Sequence, residues 1–441
     1  MMDWKTLLTP RRFESKPTTP GHEGRSEFHR DYDRIVFSGA FRRLGRKTQV
    51  HPMASNDHVH TRLTHSLETA SVGRSLGLSV AEALGGGLPE GTPPSALGEI
   101  VQAACLAHDI GNPPFGHAGE EAVRAFFAEA PAHLMDGLEP AQRSDLTTFE
   151  GNAQGFRIVT RVELSLNAGG MRLTYPTLGA LLKYPWTSDH DEAARRRKFS
   201  CFQSERGQLD AVADALGLAA REDGGYHRHP LAFLVEAADD ICYSLLDLED
   251  AREMGLLRYD EIEAVLLPLA GKVSEDALAP DLHERRRLSY LRTKVIGRVV
   301  EAASGAFAAN NEAILAGGIS VPLLDLCPED VRAGIDAAKA LARRRIYESK
   351  RKIELEIGSF TALGGLLSSF CTAVWEQEGR GRLSERGKRL FVILGEHAPP
   401  EGCGLYEGYM RVLDYVAGMT DHYATLLAKQ IGGLAENLSV R

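Results

Sequence analysis

Leu97-Gly98-Glu99-Ile100-Val101-Gln102-Ala103-Ala104-Cys105-Leu106-Ala107-His108-Asp109-Ile110-Gly111-Asn112-Pro113-Pro114 decides how this chain is read. Leu97, Ile100, Val101, Ala104 and Cys105 recur at three- and four-residue spacing, the period of a helix with an apolar face. The helix leads into His108, and Gly111 with Pro113-Pro114 stops it, so His108 and Asp109 are expected in its last turn. A histidine beside an aspartate at the end of an apolar helix is hard to explain as packing. A buried, unpaired carboxylate costs several kcal/mol unless a cation or hydrogen bonds compensate. A divalent metal ion supplies that compensation.

Helical periodicity continues in both directions with little strand-type alternation. Pro230 is well placed as a first helical residue, and Leu231, Leu234, Val235, Ala238, Cys242, Leu245 and Leu248 carry an apolar stripe through Asp250. On that helix Asp239, Tyr243 and Asp247 stand four residues apart and project from one side. Asp239 has no Lys or Arg three or four residues away to pair it. Gly85-Gly86-Gly87-Leu88-Pro89 through Pro93-Pro94 separates the helix bearing Thr61-Arg62-Leu63-Thr64-His65 from the one bearing His108. The expected fold is all-α. Residues 1–60 form a basic segment leading into the site, 61–260 the catalytic core, and 261–441 a helical region packed on it.

At 441 residues, 43% hydrophobic and 25% charged, the composition is that of a globular protein. No window holds the roughly 18 to 20 uninterrupted apolar residues of a membrane-spanning helix. The first residues lack the apolar segment of an export signal, and a cytoplasmic location is expected. Six scattered cysteines without a CxxC pair suit reduced thiols. A net charge of −9 argues against coating nucleic acid. Arg25, Arg30, Arg34, Arg42, Arg43, Arg46, Lys47 and Arg62 nevertheless make the approach to the first histidine basic, which suggests a small polyanionic substrate.

His65, His108, Asp109 and Asp239 form a mixed nitrogen and oxygen donor set. It suits Mg or Mn first, with Fe, Co, Ni or Zn acceptable to the same ligands. Four protein ligands leave positions open for water and a phosphate oxygen, which argues for hydrolysis over redox chemistry. Arg62, three residues before His65 on the same face, is placed to grip phosphate bidentately. His117 and Glu120, three residues apart after the metal helix, can act as a pair in which the carboxylate orients the imidazole.

The order His65, His108-Asp109, Asp239 resembles the H…HD…D pattern of the HD phosphohydrolase superfamily, an all-α metal-dependent fold. Longer stretches narrow the resemblance: Phe41-Arg42-Arg43-Leu44 with Lys47-Thr48-Gln49-Val50-His51-Pro52, HDIGNPPFGHAGE over His108–Glu120, EGNAQG over Glu150–Gly155, LTYPTLGALLKYPW over Leu173–Trp186, EAADDICY over Glu236–Tyr243 and DYVAGMTDHYA over Asp414–Ala424. Together they are similar to the dGTP triphosphohydrolase family. The resemblance implies hydrolysis of a deoxynucleoside triphosphate to deoxynucleoside and intact triphosphate, with attack at the α-phosphorus. It assigns the metal to His65, His108, Asp109 and Asp239, and leaving-group protonation to His117 with Glu120. Substrate contacts fall to Arg62, Asn112, Lys183 and Lys198 along the phosphates, and to Tyr243 and Asp247 at the sugar. A homo-oligomer, and a nucleotide or single-stranded DNA effector, are also what relatives imply.

Two other functions compete. One is an HD hydrolase acting as a nucleotide phosphomonoesterase or phosphodiesterase. The other is a nucleic-acid-responsive regulator with a vestigial site, supported by Arg285-Arg286-Arg287 and Arg343-Arg344-Arg345.

Overall fold

The computed structural model describes residues 1–14, 25–49, 58–163, 170–347 and 350–434. Val50-His51-Pro52 of the quoted motif lie outside the described residues. Among the described residues the regular structure is helical, and the remaining extended pairings are isolated bridges such as Thr48 with Thr61. The helices that build and support the site are α1 (Glu27–Val36), α2 (Arg62–Leu84), α3 (Ser95–Ala107), α4 (His117–Ala128), α5 (Gly151–Arg157), α6 (Tyr175–Leu181), α7 (Pro230–Glu253), α8 (Tyr259–Ala270), α9 (Glu284–Ala309), α10 (Glu329–Ala342), α11 (Lys350–Glu378), α12 (Leu405–Ala417) and α13 (Asp421–Ile431).

Thr61 caps α2 by accepting from the Thr64 backbone N–H while its own N–H donates to Thr64 Oγ1, a reciprocal pair that fixes where the helix begins. Arg62 is therefore its first residue and His65 lies one turn in. α3 is buried on all sides, Leu97 through Ala107 without exception except Gln102 and Glu99 at intermediate exposure, so it is the central helix of the fold. α2 and α3 come into backbone contact where Gly77 meets Gly98. A Cβ at Gly77 would stand 2.7 Å from the Gly98 Cα, so only glycine lets the two helices lie this close. α3 ends at Ala107, one residue earlier than its sequence suggests. His108 keeps helical dihedrals, but Ile110 N now bonds to Ala107 O and Asn112 N to Asp109 O, which tightens the chain into turns ahead of the prolines.

Apolar side chains gather into two cores. The first combines Trp4, Phe13, Phe28 and Ile35 with α2, α3, α7, α8, α9 and α10. The second joins α4, Phe149, Trp186, Phe199 and Phe202 to α11, α12 and α13. The cores thus run across the expected divisions at 60 and 260. The N-terminal segment and residues 257–346 close the first core, and residues from 122 to 202 share the second with the chain's end. Within α11, Glu356–Glu378 has the length and mean hydropathy, 1.5, of a membrane span, with half of the stretch buried. Its Leu363, Leu366, Leu367, Phe370 and Val374 fill the second core, which is what the apolar character serves here.

Candidate active site

A cavity of about 300 Å³ opens between the two cores. The end of α3, the start of α4, α6 and α7 supply its walls, with Thr48 and Gln49 on one rim and Glu356 of α11 on another. His108, Asp109 and Asp239 line it, with His65 buried behind them: His65 Nε2 lies 3.0 Å from Asp239 Oδ1, and His108 Nε2 lies 3.5 Å from the same oxygen and 3.6 Å from Asp109 Oδ1. Ligand atoms of His65, His108 and Asp109 all fall within 4.8 Å of one another. Four residues from three separate segments of the chain thus lie close together.

The donor set fits a metal ion. His108 Nδ1 donates to the Cys105 carbonyl at 2.6 Å, which fixes the tautomer and leaves Nε2 facing the cluster, buried and without a hydrogen-bond partner. Burial disfavours charge on this ring, yet Asp109 and Asp239 hold its pKa near 9. Burial also works against Asp239, but the neighbouring charge of His108 and the hydrogen bond and charge of His65 keep it well below the carboxylate range. Such mutual stabilisation marks a place that attracts positive charge.

Arg62 Nη1 bonds Asp109 Oδ2 at 2.7 Å, which leaves Nε buried without a partner. Asn112 Nδ2 donates to Asp109 Oδ1. His117 Nδ1 is 3.2 Å from Glu120 Oε2, its ring 81% exposed, while the carboxylate is buried and accepts from Gly151 N at 2.7 Å. Burial would raise the Glu120 pKa, but the His117 hydrogen bond and the charges of Lys198 and Arg124 bring it to about 2. Lys198 Nζ bonds Glu150 Oε1 at 2.5 Å and lies 3.8 Å from Glu120 Oε2. Lys183 Nζ stands 3.5 Å from Glu236 Oε1; burial opposes its charge, and Glu236 outweighs it. The lining residues include seven carboxylates and three cationic side chains, Arg62, Lys183 and Lys198. A polyanion entering alone would meet net repulsion, which a divalent ion reduces.

Tyr243 lines the cavity with Asp239; Asp247 does not. It is buried beyond Tyr243, because two steps of four residues turn a helix by roughly 80° away from its starting direction. Of the basic approach, Arg62 alone lines the cavity among the described residues. Arg25 pairs with Asp33, Arg30 with Glu27, Arg43 with Glu163, and Arg34 donates to the Met171 carbonyl. Arg285, Arg287 and Arg345 are likewise engaged, with Glu253, Glu263 and Glu261 on neighbouring helices. Half of the six arginines in the two runs are thus already paired within the fold.

Sequence reasoning missed three residues that touch the site or hold it. Glu150 lies inside a quoted motif, but no spacing marks it as the partner of Lys198. Lys47 is fully buried, and its ammonium donates to Asn112 O at 2.6 Å and Ala417 O at 2.5 Å. Asp421 accepts from Phe115 N at 3.0 Å and from Thr48 N and Oγ1 at 3.0 and 2.7 Å. These links span from 48 to 373 residues and have no local signature.

An HD domain model matches residues 62–161, which span His65, His108-Asp109, His117 and Glu120. The chain is 51% identical over 439 residues to a deoxyguanosinetriphosphate triphosphohydrolase-like protein of Pseudomonas aeruginosa strain LESB58, covering 98% of this chain and 99% of that one. It is 38% identical to a protein of the same description from Synechocystis sp., with 98% and 100% covered. A deoxyguanosinetriphosphate triphosphohydrolase of Serratia proteamaculans is 30% identical, with 96% and 97% covered. With an all-helical fold, the HD cluster intact and likeness over nearly its whole length, this chain belongs to the dGTP triphosphohydrolase family of HD-domain hydrolases.

Proposed function

We propose that the protein hydrolyses deoxynucleoside triphosphates, dGTP being the first to test, to deoxynucleoside and inorganic triphosphate by attack at the α-phosphorus. The observation that carries this is the convergence of the His117-Glu120 pair and Arg62 on the cavity lined by His108, Asp109 and Asp239, with His65 buried behind them. Those four residues would hold a divalent ion, which when bound polarises the α-phosphoryl group and makes water a better nucleophile near neutral pH.

The chain's own groups do the rest. Arg62 is fixed by Asp109 with its remaining N–H groups free to take a phosphate oxygen. Lys183 and Lys198 offset the charge of the triphosphate, and Asn112 adds a neutral donor. Glu120, locked by Gly151, orients the exposed His117 ring so that it protonates the departing 5′ oxygen. Tyr243 packs at the 2′ edge of the sugar, where a ribose hydroxyl would clash. Asp247, one helical turn beyond Tyr243, accepts from the 3′ hydroxyl once the sugar packs against that ring.

Incubating metal-supplied protein with each dNTP and NTP, and separating the products, tests this. Intact triphosphate with deoxynucleoside, from dNTPs and not NTPs, is expected; release of orthophosphate instead would refute it. His117→Ala keeps the metal in elemental analysis and loses turnover, whereas Asp109→Ala loses both. A fully active Asp109→Ala protein would sink the mechanism.

A further inference from the structure

We propose that Asp421, at the start of α13, is a positioning residue for this reaction, holding both walls of the cavity at once; the proposal rests on the hydrolysis described above. Its carboxylate is 3% exposed and touches three donors from two distant segments. Oδ1 accepts from Phe115 N, 306 residues earlier, and Oδ2 accepts from the backbone and hydroxyl of Thr48. Both targets line the cavity.

What Asp421 holds would not hold itself. Phe115 has φ 65 and Gly116 has φ 60, so the chain passes through two consecutive left-handed residues before His117 begins α4. A phenylalanine in that region is an outlier that needs external support. Asp421 supplies it, while the buried Lys47 ammonium ties the same loop, through Asn112 O, to the last carbonyl of α12. Lys47 O in turn accepts from Arg62 N at 3.0 Å. The phosphate-gripping arginine and the proton-donating histidine are thereby referred to one anchor in the last helices.

Asp421→Asn isolates the effect, because it keeps the shape and replaces one acceptor oxygen by a donor. Because the Thr48 hydroxyl can accept as well as donate, either orientation of the amide keeps two of the three bonds and turns the NH2 group against one backbone N–H, that of Phe115 or that of Thr48. One wall of the cavity then loses its tie. The expected result is a fall in kcat of about tenfold or more with KM changed by less than about threefold. Asp421→Asn combined with His117→Ala should lose less than the product of the two single losses, since that histidine is one of the two groups Asp421 positions. Leu427→Ala, which weakens α13 from the second core without touching the loop, should lower the unfolding temperature and leave kcat in place.

Modification of His117 by diethyl pyrocarbonate, quantified by mass spectrometry against the exposed His133, gives a reading independent of substrate. Asp421→Asn should shift the His117 rate at least about twofold and leave His133 alone. An unchanged kcat, a multiplicative loss in the double variant, an unshifted His117 rate, or an equal kcat loss in Leu427→Ala would each overturn the proposal. If wild-type protein released no triphosphate, the function proposed above would fail while the labelling still judged Asp421.

Discussion

Replacing Gly116 by alanine tests the placement of Arg62 without touching a ligand or a catalytic group. Gly116 has φ 60 and ψ −128, a combination that side-chain-bearing residues enter at a cost of about 1–3 kcal/mol. The new Cβ would also stand 2.5 Å from Arg62 Nη2. The end of an arginine usually yields, but this one is 5% exposed and bonded to Asp109 at 2.7 Å. Moving it breaks a charge-assisted bond worth about 1.5–3 kcal/mol, equivalent to roughly 10- to 150-fold in rate. The two costs fall on different observables. Backbone strain lowers stability in urea or thermal unfolding, and loss of the Arg62 geometry lowers kcat/KM of the metal-loaded enzyme. Arg62→Lys, which keeps the charge and loses the fork, should reproduce the second effect without the first. A Gly116→Ala protein that shows the stability loss but stays within about threefold of wild-type kcat/KM would refute the reasoning.

Removing Lys198 should expose the electrostatics beneath the His117-Glu120 pair. Lys198→Met leaves Glu120 and Glu150 buried without their shared cation, at a cost of about 2 kcal/mol or more, measured by denaturant unfolding. Glu120 is depressed to about 2, so its stabilising charge is present above the ordinary carboxylate pKa and lost as pH falls toward 2; without Lys198 that loss begins at higher pH, and the acid limb of the rate profile moves up. His60 supplies the opposite sign. Burial opposes its charge, but Asp250 at 2.7 Å and Glu68 at 3.2 Å raise it to about 10. Its stabilisation is complete below the ordinary histidine pKa and is lost as pH rises through about 10. The drop in unfolding temperature between pH 6.5 and 10 should therefore be smaller in His60→Gln than in wild type, and an equal drop would remove His60 from the explanation.

How much was legible in sequence follows the range of each interaction. Helix periodicity and caps are local, so α3 leading to His108, and Pro230 opening α7, appear as expected. Two of the proposed metal ligands, His108 and Asp109, announced themselves because a helix end and a His-Asp pair are neighbours in sequence. Asp239 was legible from what it lacked, a nearby cation. Asp247 was named from the same four-residue spacing, whose drift of roughly 80° over two steps leaves it buried and off the cavity lining. The basic approach misled because charge composition says nothing about pairing, and Asp33, Glu27 and Glu163 take up those arginines. Lys47 and Asp421 were invisible because their meaning lies in carbonyl and amide groups, which every residue carries.

The interleaving of the two cores also sets an order of assembly. Residues 122–202 must wait for 363–427 before the second core can close, so its contacts join segments far apart in the chain and form slowly. A nascent chain that has emerged only through residue 347 already carries the four residues proposed to hold the metal and the histidine-glutamate pair. It still lacks α11, α12 and α13, and with them the carboxylate at 421 and the helix end that meets Lys47. The cleft is complete only when those helices dock, so the hydrolysis proposed above is coupled to their synthesis.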